Sequence, residues 1–319
     1  MFLNAHQIVI SMRNHRFVSV LAATVFLTLT THSFSQTRGF HFLRSPVGAR
    51  VTSMAGAFTA IDNDLFAIAS NPAALAGITK KQGTVDYVNS VLDIQSGFGA
   101  YIQPLTAGNL ALSLFYKDYG SFDKLDEFGN NSGSFSASAV VLTAAFSRQY
   151  TKQIWYGAAV KYIHSGIDVY SASGFAFDAS LFYHSNLFEN LKIGGGIYNL
   201  GNATSAFIDT REKLPTRVEV GASKELAHLP LRYSLTLRKY FDEDFEFAAG
   251  GEFKLSESLF FRLGYNSLGR DQKLENSSDR FAGMSLGFGL IVKKYNIDYA
   301  YSSWGTIGSI NRFSFTFQL

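Results

Sequence analysis

From residue 82 to the end of the chain, side chains alternate with a period of two. Leu110, Leu112, Leu114 and Tyr116 interleave with Ala111, Ser113 and Lys117. Leu231, Tyr233, Leu235 and Leu237 interleave with Arg232, Ser234, Thr236 and Arg238. Phe313, Phe315, Phe317 and Leu319 interleave with Arg312, Ser314, Thr316 and Gln318. A period of two sends the two sets to opposite faces of a strand. One face here is apolar and the other small or polar. Segments of about ten residues with that contrast, divided by turns, mark a transmembrane β-barrel. Fourteen fit the pattern: 82–90, 94–103, 108–118, 135–148, 153–165, 174–185, 190–199, 215–225, 230–241, 244–255, 258–268, 279–290, 292–302 and 310–319. The expected fold class is all-β: a transmembrane antiparallel β-barrel of about 14 strands with an N-terminal helical or irregular plug segment.

The connections sort into two classes. Those near 104–107, 150–152, 186–189, 227–229, 256–257 and 291 are short, whereas those near 119–134, 166–173, 200–214, 269–278 and 303–309 are longer and polar. Two connections expected to be long, near 92–93 and 242–243, are short. Short turns on one side and long loops on the other are the asymmetry of outer-membrane barrels, with the short turns periplasmic. A soluble β-sandwich shares the aromatic enrichment (15% Phe, Tyr and Trp) but has no reason to sort its connections.

Composition removes other classes. With 47% hydrophobic and 17% charged residues the chain is not disordered. It has no cysteine, so no disulfide and no thiolate chemistry. A net charge of +3 is too small to argue for nucleic acid.

The N-terminus reads as an export signal. Arg13 and Arg16 precede an apolar run at 17–29, followed by Ser33-Phe34-Ser35-Gln36. Cleavage is expected after Ser35, whether translation starts at Met1 or Met12. The run is short of the roughly 20 residues that a spanning helix needs. The expected organisation is 1–35 signal peptide, 36–80 periplasmic or luminal plug and 81–319 barrel.

Residues 48–77 break the strand pattern. Met54, Phe58 and Ile61 fall at helical spacing, continued by Leu65, Ile68 and Ala69 beyond an acidic turn, Asp62-Asn63-Asp64. Asn71 is placed to cap a final turn opened by Pro72. The segment is expected inside or beneath the barrel. On the inward face, Gly97, Gly99, Gly157, Gly250, Gly283, Gly287 and Gly289 would leave space for a segment or a ligand, and Gln103, Lys161, Glu252, Arg262 and Asp298 would add polar groups.

No catalytic constellation emerges. The seven histidines form no His-Glu-x-x-His pair and no serine lies in a Gly-x-Ser-x-Gly elbow. Asp62-Asn63-Asp64 starts like a calcium loop but lacks the later ligands. Gly194-Gly195-Gly196 lies mid-strand, where close backbone packing or a kink is the expectation. No catalytic residue, cofactor or metal is assigned.

The plug segment carries a resemblance. Gly48-Ala49-Arg50, Met54-Ala55-Gly56-Ala57-Phe58, Ala60, Asp64, Ala67 and Asn71-Pro72-Ala73-Ala74-Leu75-Ala76 resemble the N-terminal motif of the PorV/PorQ family of type IX secretion outer-membrane proteins, related to FadL-type transporters. Ala55 departs from the family's usual glycine, and the compact loops are more like the PorQ branch. The resemblance implies a non-enzymatic barrel in the outer membrane of a Bacteroidota-like bacterium, docking attachment-complex proteins such as PorZ, PorU and a PorV-like protein. Phe122, Leu125 and Phe128, in the 119–134 connection, are the expected docking residues. The alternative is a FadL-like channel for hydrophobic small molecules, with a hydrophobic ligand in the lumen and 48–77 as a movable hatch.

Overall fold

A computed structural model describes residues 39–91, 94–186, 188–241, 243–270 and 277–319. The expected signal peptide, and Leu92-Asp93 and Asp242 of the two short connections, lie outside these residues. Fourteen antiparallel strands follow one another: β1(Gln82–Asn89), β2(Gln95–Leu105), β3(Gly108–Leu125), β4(Asn131–Gln149), β5(Ile154–Ile167), β6(Tyr170–His184), β7(Leu191–Ala203), β8(Arg217–Glu225), β9(Leu231–Tyr240), β10(Phe245–Lys254), β11(Leu259–Asn266), β12(Met284–Val292), β13(Tyr295–Ser303) and β14(Ser309–Gln318). Each pairs with its sequence neighbours, and β14 pairs with β1 to close the barrel. Closure is what hydrocarbon demands, because an open edge would leave unpaired N–H and C=O groups where no water can satisfy them. Among the described residues no helix is long and apolar enough to cross a membrane.

The alternation read from the sequence sets which way side chains point. Leu110, Leu112, Leu114 and Tyr116 of β3 are exposed on the outer wall, while Ala111 and Phe115 are buried inside. Phe313 and Phe315 of β14 face out beside Tyr299 and Tyr295 of β13 (ring centroids 4.9 and 5.6 Å apart). Gly97, Gly99 and Gln103, expected inside, share the parity of exposed Tyr101 on β2, because buried Phe98, Ala100 and Ile102 take the inward positions. Gly283 lies in the turn before β12. Small residues carry no polarity contrast, so their facing is decided only by the register of their neighbours.

The wall is uneven in height. β3 and β4 run for 18 and 19 residues, whereas β11 and β13 have 8 and 9. At 3.4 Å per residue and a tilt near 40°, β3 rises roughly 45 Å, well above an apolar band of about 25 Å. The connections expected at 119–134 and 166–173 are therefore largely strand; the chain reverses only at 126–130 and 168–169. These strand ends are largely exposed on both faces, so the period of two disappears from the sequence above the membrane. The longest connections are 204–216 and 267–283, on the end opposite the two-residue turns 106–107 and 293–294. The short-turn end holds both the start of β1 and the end of β14; in outer-membrane barrels the short-turn end is the periplasmic one.

The 48–77 segment fills the lumen. It contains one α-helix, α1(Ala49–Ser53), and short 3₁₀ turns at Leu65–Ala69 and Pro72–Gly77; a further 3₁₀ turn at His41–Arg44 precedes it. Met54, Phe58, Ile61, Leu65, Phe66 and Leu75 are each at most 2% exposed. The helical stripe expected across Met54, Phe58 and Ile61 is not helical. α1 stops at Ser53 because Ala55 and Gly56 adopt positive φ (53° and 81°), and the three apolar residues are buried from an irregular path instead. Neither does the segment sit beneath the barrel. Its arm reaches the long-loop ends of β9 and β10 through Arg44, and its last turn lies against β4 and β5 close to the short-turn rim.

Leu112 sits in the middle of the lipid-facing row of β3. Leu112→Arg is expected to lower stability by about 2–4 kcal/mol, the cost of a cation near the bilayer midplane. Ser121→Arg, above the membrane on the same strand, is expected to be near neutral. Urea titration of vesicle-reconstituted protein, read by heat-modifiable gel mobility, distinguishes the two.

Candidate functional site

A short irregular plug leaves many backbone groups without helical partners, and inward side chains of the wall supply them. Asn109 donates Nδ2 to the carbonyls of Leu75 and Ile78 (2.7 Å each). Ser223 donates to Ala60 O (2.6 Å), and the Ala49 amide donates to Ser314 Oγ (2.6 Å). Asn71 acts within the plug and across to the wall. Its Oδ1 accepts from the Ala73 amide, the cap expected for the turn opened by Pro72, and its Nδ2 donates to Thr59 O (2.7 Å) and Leu181 O (3.3 Å). The inward glycines are where the plug touches the wall. A Cβ at Gly157 would strike Ala73, at Gly194 the Thr59 carbonyl, at Gly250 and Gly264 the Met54–Ala55 backbone, and at Gly287 Ser53. The space they leave is taken by the plug rather than by a ligand.

Two motif glycines have local reasons. Gly48 has φ 90°, and a Cβ there would lie 2.5 Å from the Phe66 ring. Gly56 takes φ 81° after Ala55, a non-glycine residue held in the left-handed region at φ 53°.

The charged groups form chains that tie plug to wall. Arg50 donates Nε and Nη2 to Glu252 (2.7 Å each) and Nη1 to Asp64 (3.1 Å), so two motif residues separated by an irregular stretch meet. Arg262 joins Glu252 (2.7 Å) to Asp298 (2.6 Å). Burial disfavours the Arg50 guanidinium, but Glu252 and Asp64 more than compensate and hold it firmly protonated. The Thr59 hydroxyl bonds Glu219, which also pairs with Arg217 (3.0 Å) and Arg238 (2.7 Å). At the short-turn end Asp62 accepts from Lys192 (2.7 Å) and lies 3.2 Å from His184 Nε2. Burial alone would raise the Asp62 carboxyl; the contacts with His184 and Lys192 reverse that and hold it at about 2. At the outer end Arg44 bridges Glu243 (2.7 Å) and Glu246 (2.5 Å) and stacks over Tyr240 (4.1 Å).

Above the plug lies a cavity of about 390 Å³ reaching the outer loops at Ser303 and Trp304. Its walls are apolar at Phe42, Val51, Phe66, Phe98, Phe115 and Val141. Six cations also line it, with no Asp or Glu beside them among the lining residues. Five have carboxylate partners behind the surface: Arg44 as above, Arg217 and Arg238 on Glu219, Lys161 on Asp178 (2.6 Å) and Arg312 on Asp86 (2.8 Å). Lys117 is the exception. Among the described residues it makes no ion pair or hydrogen bond, and its Nζ sits 4.9 Å from the Tyr119 ring centroid. Three buried polar atoms of lining residues are also without hydrogen-bond partners: Thr52 Oγ1, Ser70 Oγ and Arg312 Nε. Lys117 was visible in the sequence only as the last small-or-polar position of one strand, and nothing there marked it as unpaired.

The residues expected to dock a partner are not one loop. Phe122 and Leu125 belong to β3 and Phe128 to the turn; Phe122 stacks on Phe135 of β4 (5.3 Å), and Phe128 is 81% exposed. Among the described residues no group of three or more His, Cys, Asp or Glu could hold a metal ion.

No protein-family model and no curated protein matches the sequence. Solved structures do. The toluene transporter TbuX of Ralstonia pickettii superposes with a TM-score of 0.62 at 15% identity, covering 86% of this chain and 98% of that one. The toluene transporter TodX of Pseudomonas putida gives 0.59 at 14% identity over 88% and 98%. A Pseudomonas aeruginosa FadL homologue gives 0.56 at 13% identity over 85% and 98%. The fold is thus a FadL-like closed 14-strand barrel.

The ion pairs make two predictions. Arg50→Met strands Asp64 and weakens the hold on Glu252. Loss of one partner from a buried pair costs roughly 3–5 kcal/mol, so the plug is expected to loosen and raise single-channel conductance in planar bilayers; unchanged conductance counts against the tie. The Asp62 carboxyl titrates lower in the folded protein than its ordinary 3.8. Its contribution, about 2 kcal/mol, is therefore complete above pH 4 and lost as pH falls towards 2. Conductance onset in that window, shifted to neutral pH by Asp62→Asn, is the expected result.

Proposed function

We propose that the barrel is an outer-membrane channel for hydrophobic small molecules, and that those it holds carry an anionic head group. The cavity above the plug is the first binding station, entered from outside. One observation carries this reading: Lys117 faces a cavity that has apolar walls and no acidic lining residue, and it has no acidic partner among the described residues. An unpaired cation against apolar walls is costly. A carboxylate, sulfonate or phosphate with an apolar tail would satisfy it and could accept from Thr52, Ser70 and Arg312 as well. The volume is within the range that buries most of a small ligand. The similar solved structures, described as toluene transporters and a FadL homologue, support transport of hydrophobic compounds.

In this state the way through is shut. Below the cavity the lumen holds Met54, Phe58 and Leu75, each fully buried. Passage requires the plug to shift, and the ion pairs of Arg50 and Asp62, with the Thr59–Glu219 hydrogen bond, are the contacts that would part. The docking of secretion-complex proteins expected from the motif gains no observation from the geometry or from the similar structures, and the channel reading takes its place.

Binding of dodecanoate and dodecanol to the detergent-solubilised protein, followed by calorimetry, tests the reading. A hydrogen bond to a charged group is worth about 1.5–3 kcal/mol, so the wild type is expected to prefer the acid by tenfold or more. Lys117→Gln is expected to remove the preference while leaving alcohol binding intact. Equal affinity of the wild type for acid and alcohol would overturn the anionic-head assignment; binding of neither would overturn the channel.

A further inference from the structure

The periplasmic rim holds a second basic feature, outside the lumen. The last residues of β14 run between two lysines: the Gln318 amide donates to Lys294 O (3.0 Å) and the Leu319 amide to Lys81 O (2.9 Å). Lys81 and Lys294 are therefore on backbones two strand spacings apart, about 10 Å. Lys80 and Lys293 adjoin them, and all four side chains are exposed. None forms an ion pair among the described residues, whereas on the same rim Lys254 is paired with Glu257 (2.8 Å) and Lys192 with Asp62 (2.7 Å). The four gather at the seam where β14 meets β1 with no acidic side chain paired to them among the described residues.

Lipid-facing aromatics stand directly beside this cluster. Tyr295 stacks with Phe315 (5.6 Å), and Phe315 lies 6.1 Å from Phe317. Lys294 Nζ is 5.9 Å from the Tyr295 ring centroid, so the amine stays at the edge of the aromatic surface. Aromatic rings at this depth mark the boundary between acyl chains and head groups. Positive charge immediately outside them lies at the level of lipid phosphates.

We propose that the β14 seam is a binding site for an anionic phospholipid of the periplasmic leaflet, such as phosphatidylglycerol or cardiolipin. The phosphate sits between Lys81 and Lys294, with Lys80 and Lys293 adding charge, and an acyl chain lies on Tyr295 and Phe315. Lysine side chains from strands 10 Å apart can converge on one phosphodiester. A partner bearing only charge would leave the adjacent aromatic surface unused, and a lipid uses both. The site is independent of the cavity and of the channel reading.

Native mass spectrometry of the full chain in detergent tests this with cardiolipin, phosphatidylglycerol and phosphatidylcholine of matched chains. Each lysine near an anionic surface contributes a factor of about five. The wild type is expected to retain the anionic lipids at least tenfold better than phosphatidylcholine, less so as salt is raised. Lys81→Gln with Lys294→Gln keeps the backbone hydrogen bonds and should abolish the preference; the matching arginine pair should restore it. Lys152→Gln with Lys224→Gln, elsewhere on the rim, should change nothing, and heat-modifiable mobility verifies that each variant is folded. Equal retention of anionic and zwitterionic lipid, or a preference untouched by the seam variant, overturns the site. Full displacement by millimolar inorganic phosphate would show an ion site rather than a lipid site and overturns it equally.

Discussion

The structure depends on one requirement: backbone hydrogen bonds must be satisfied where water is scarce. The wall meets it by closing β14 onto β1. The plug cannot meet it that way, because it contains only one five-residue α-helix and a few 3₁₀ turns. Its carbonyls and amides are served instead by Asn109, Ser180, Ser223 and Ser314 of the wall and by Asn71 of the plug itself. The inward face consequently carries polar side chains among its apolar ones, and its glycines allow plug and wall to approach closely enough for those bonds.

The same economy governs charge. Each carboxylate of the lumen networks has at least one cation within salt-bridge distance, as in the run Asp64, Arg50, Glu252, Arg262 and Asp298. Paired charges hold a loosely structured plug in register at many points, because stranding either member is expensive. Against this background of pairing, Lys117 is conspicuous among the six cations that line the cavity, because the other five have carboxylate partners. Exceptions to pairing are more informative about ligands than the pairs themselves.

Much of the wall was legible from the chain alone. Bilayer immersion writes a two-residue period into every spanning strand, and all fourteen were readable from it. Where β3 and β4 rise out of the membrane both faces meet water, the contrast vanishes, and strand reads as loop. Gly97, Gly99 and Gln103 were placed on the wrong face because side chains that small or that amphipathic do not declare one. In the plug, the Asn71 cap and the Pro72 turn were legible because they depend on adjacent residues. The Met54, Phe58 and Ile61 stripe misled because burial from all sides makes any apolar spacing acceptable. The meeting of Arg50 with Glu252, 202 residues apart, has no local signal at all.

The plug is continuous with the wall at one end only. Between Ile78, held by Asn109, and the start of β1 at Gln82 there are just residues 79–81. Three extended residues span about 10 Å at most, so the inner end of the plug is on a short leash. The outer arm has no covalent tie to the wall and is kept in place by Arg44 and by the packing of Phe40 on Phe42 and Phe207. Mechanically the segment is a lever with its fulcrum at the short-turn floor of the barrel. Any displacement of the plug must therefore be smallest at the inner exit and largest at the outer mouth, beside the cavity.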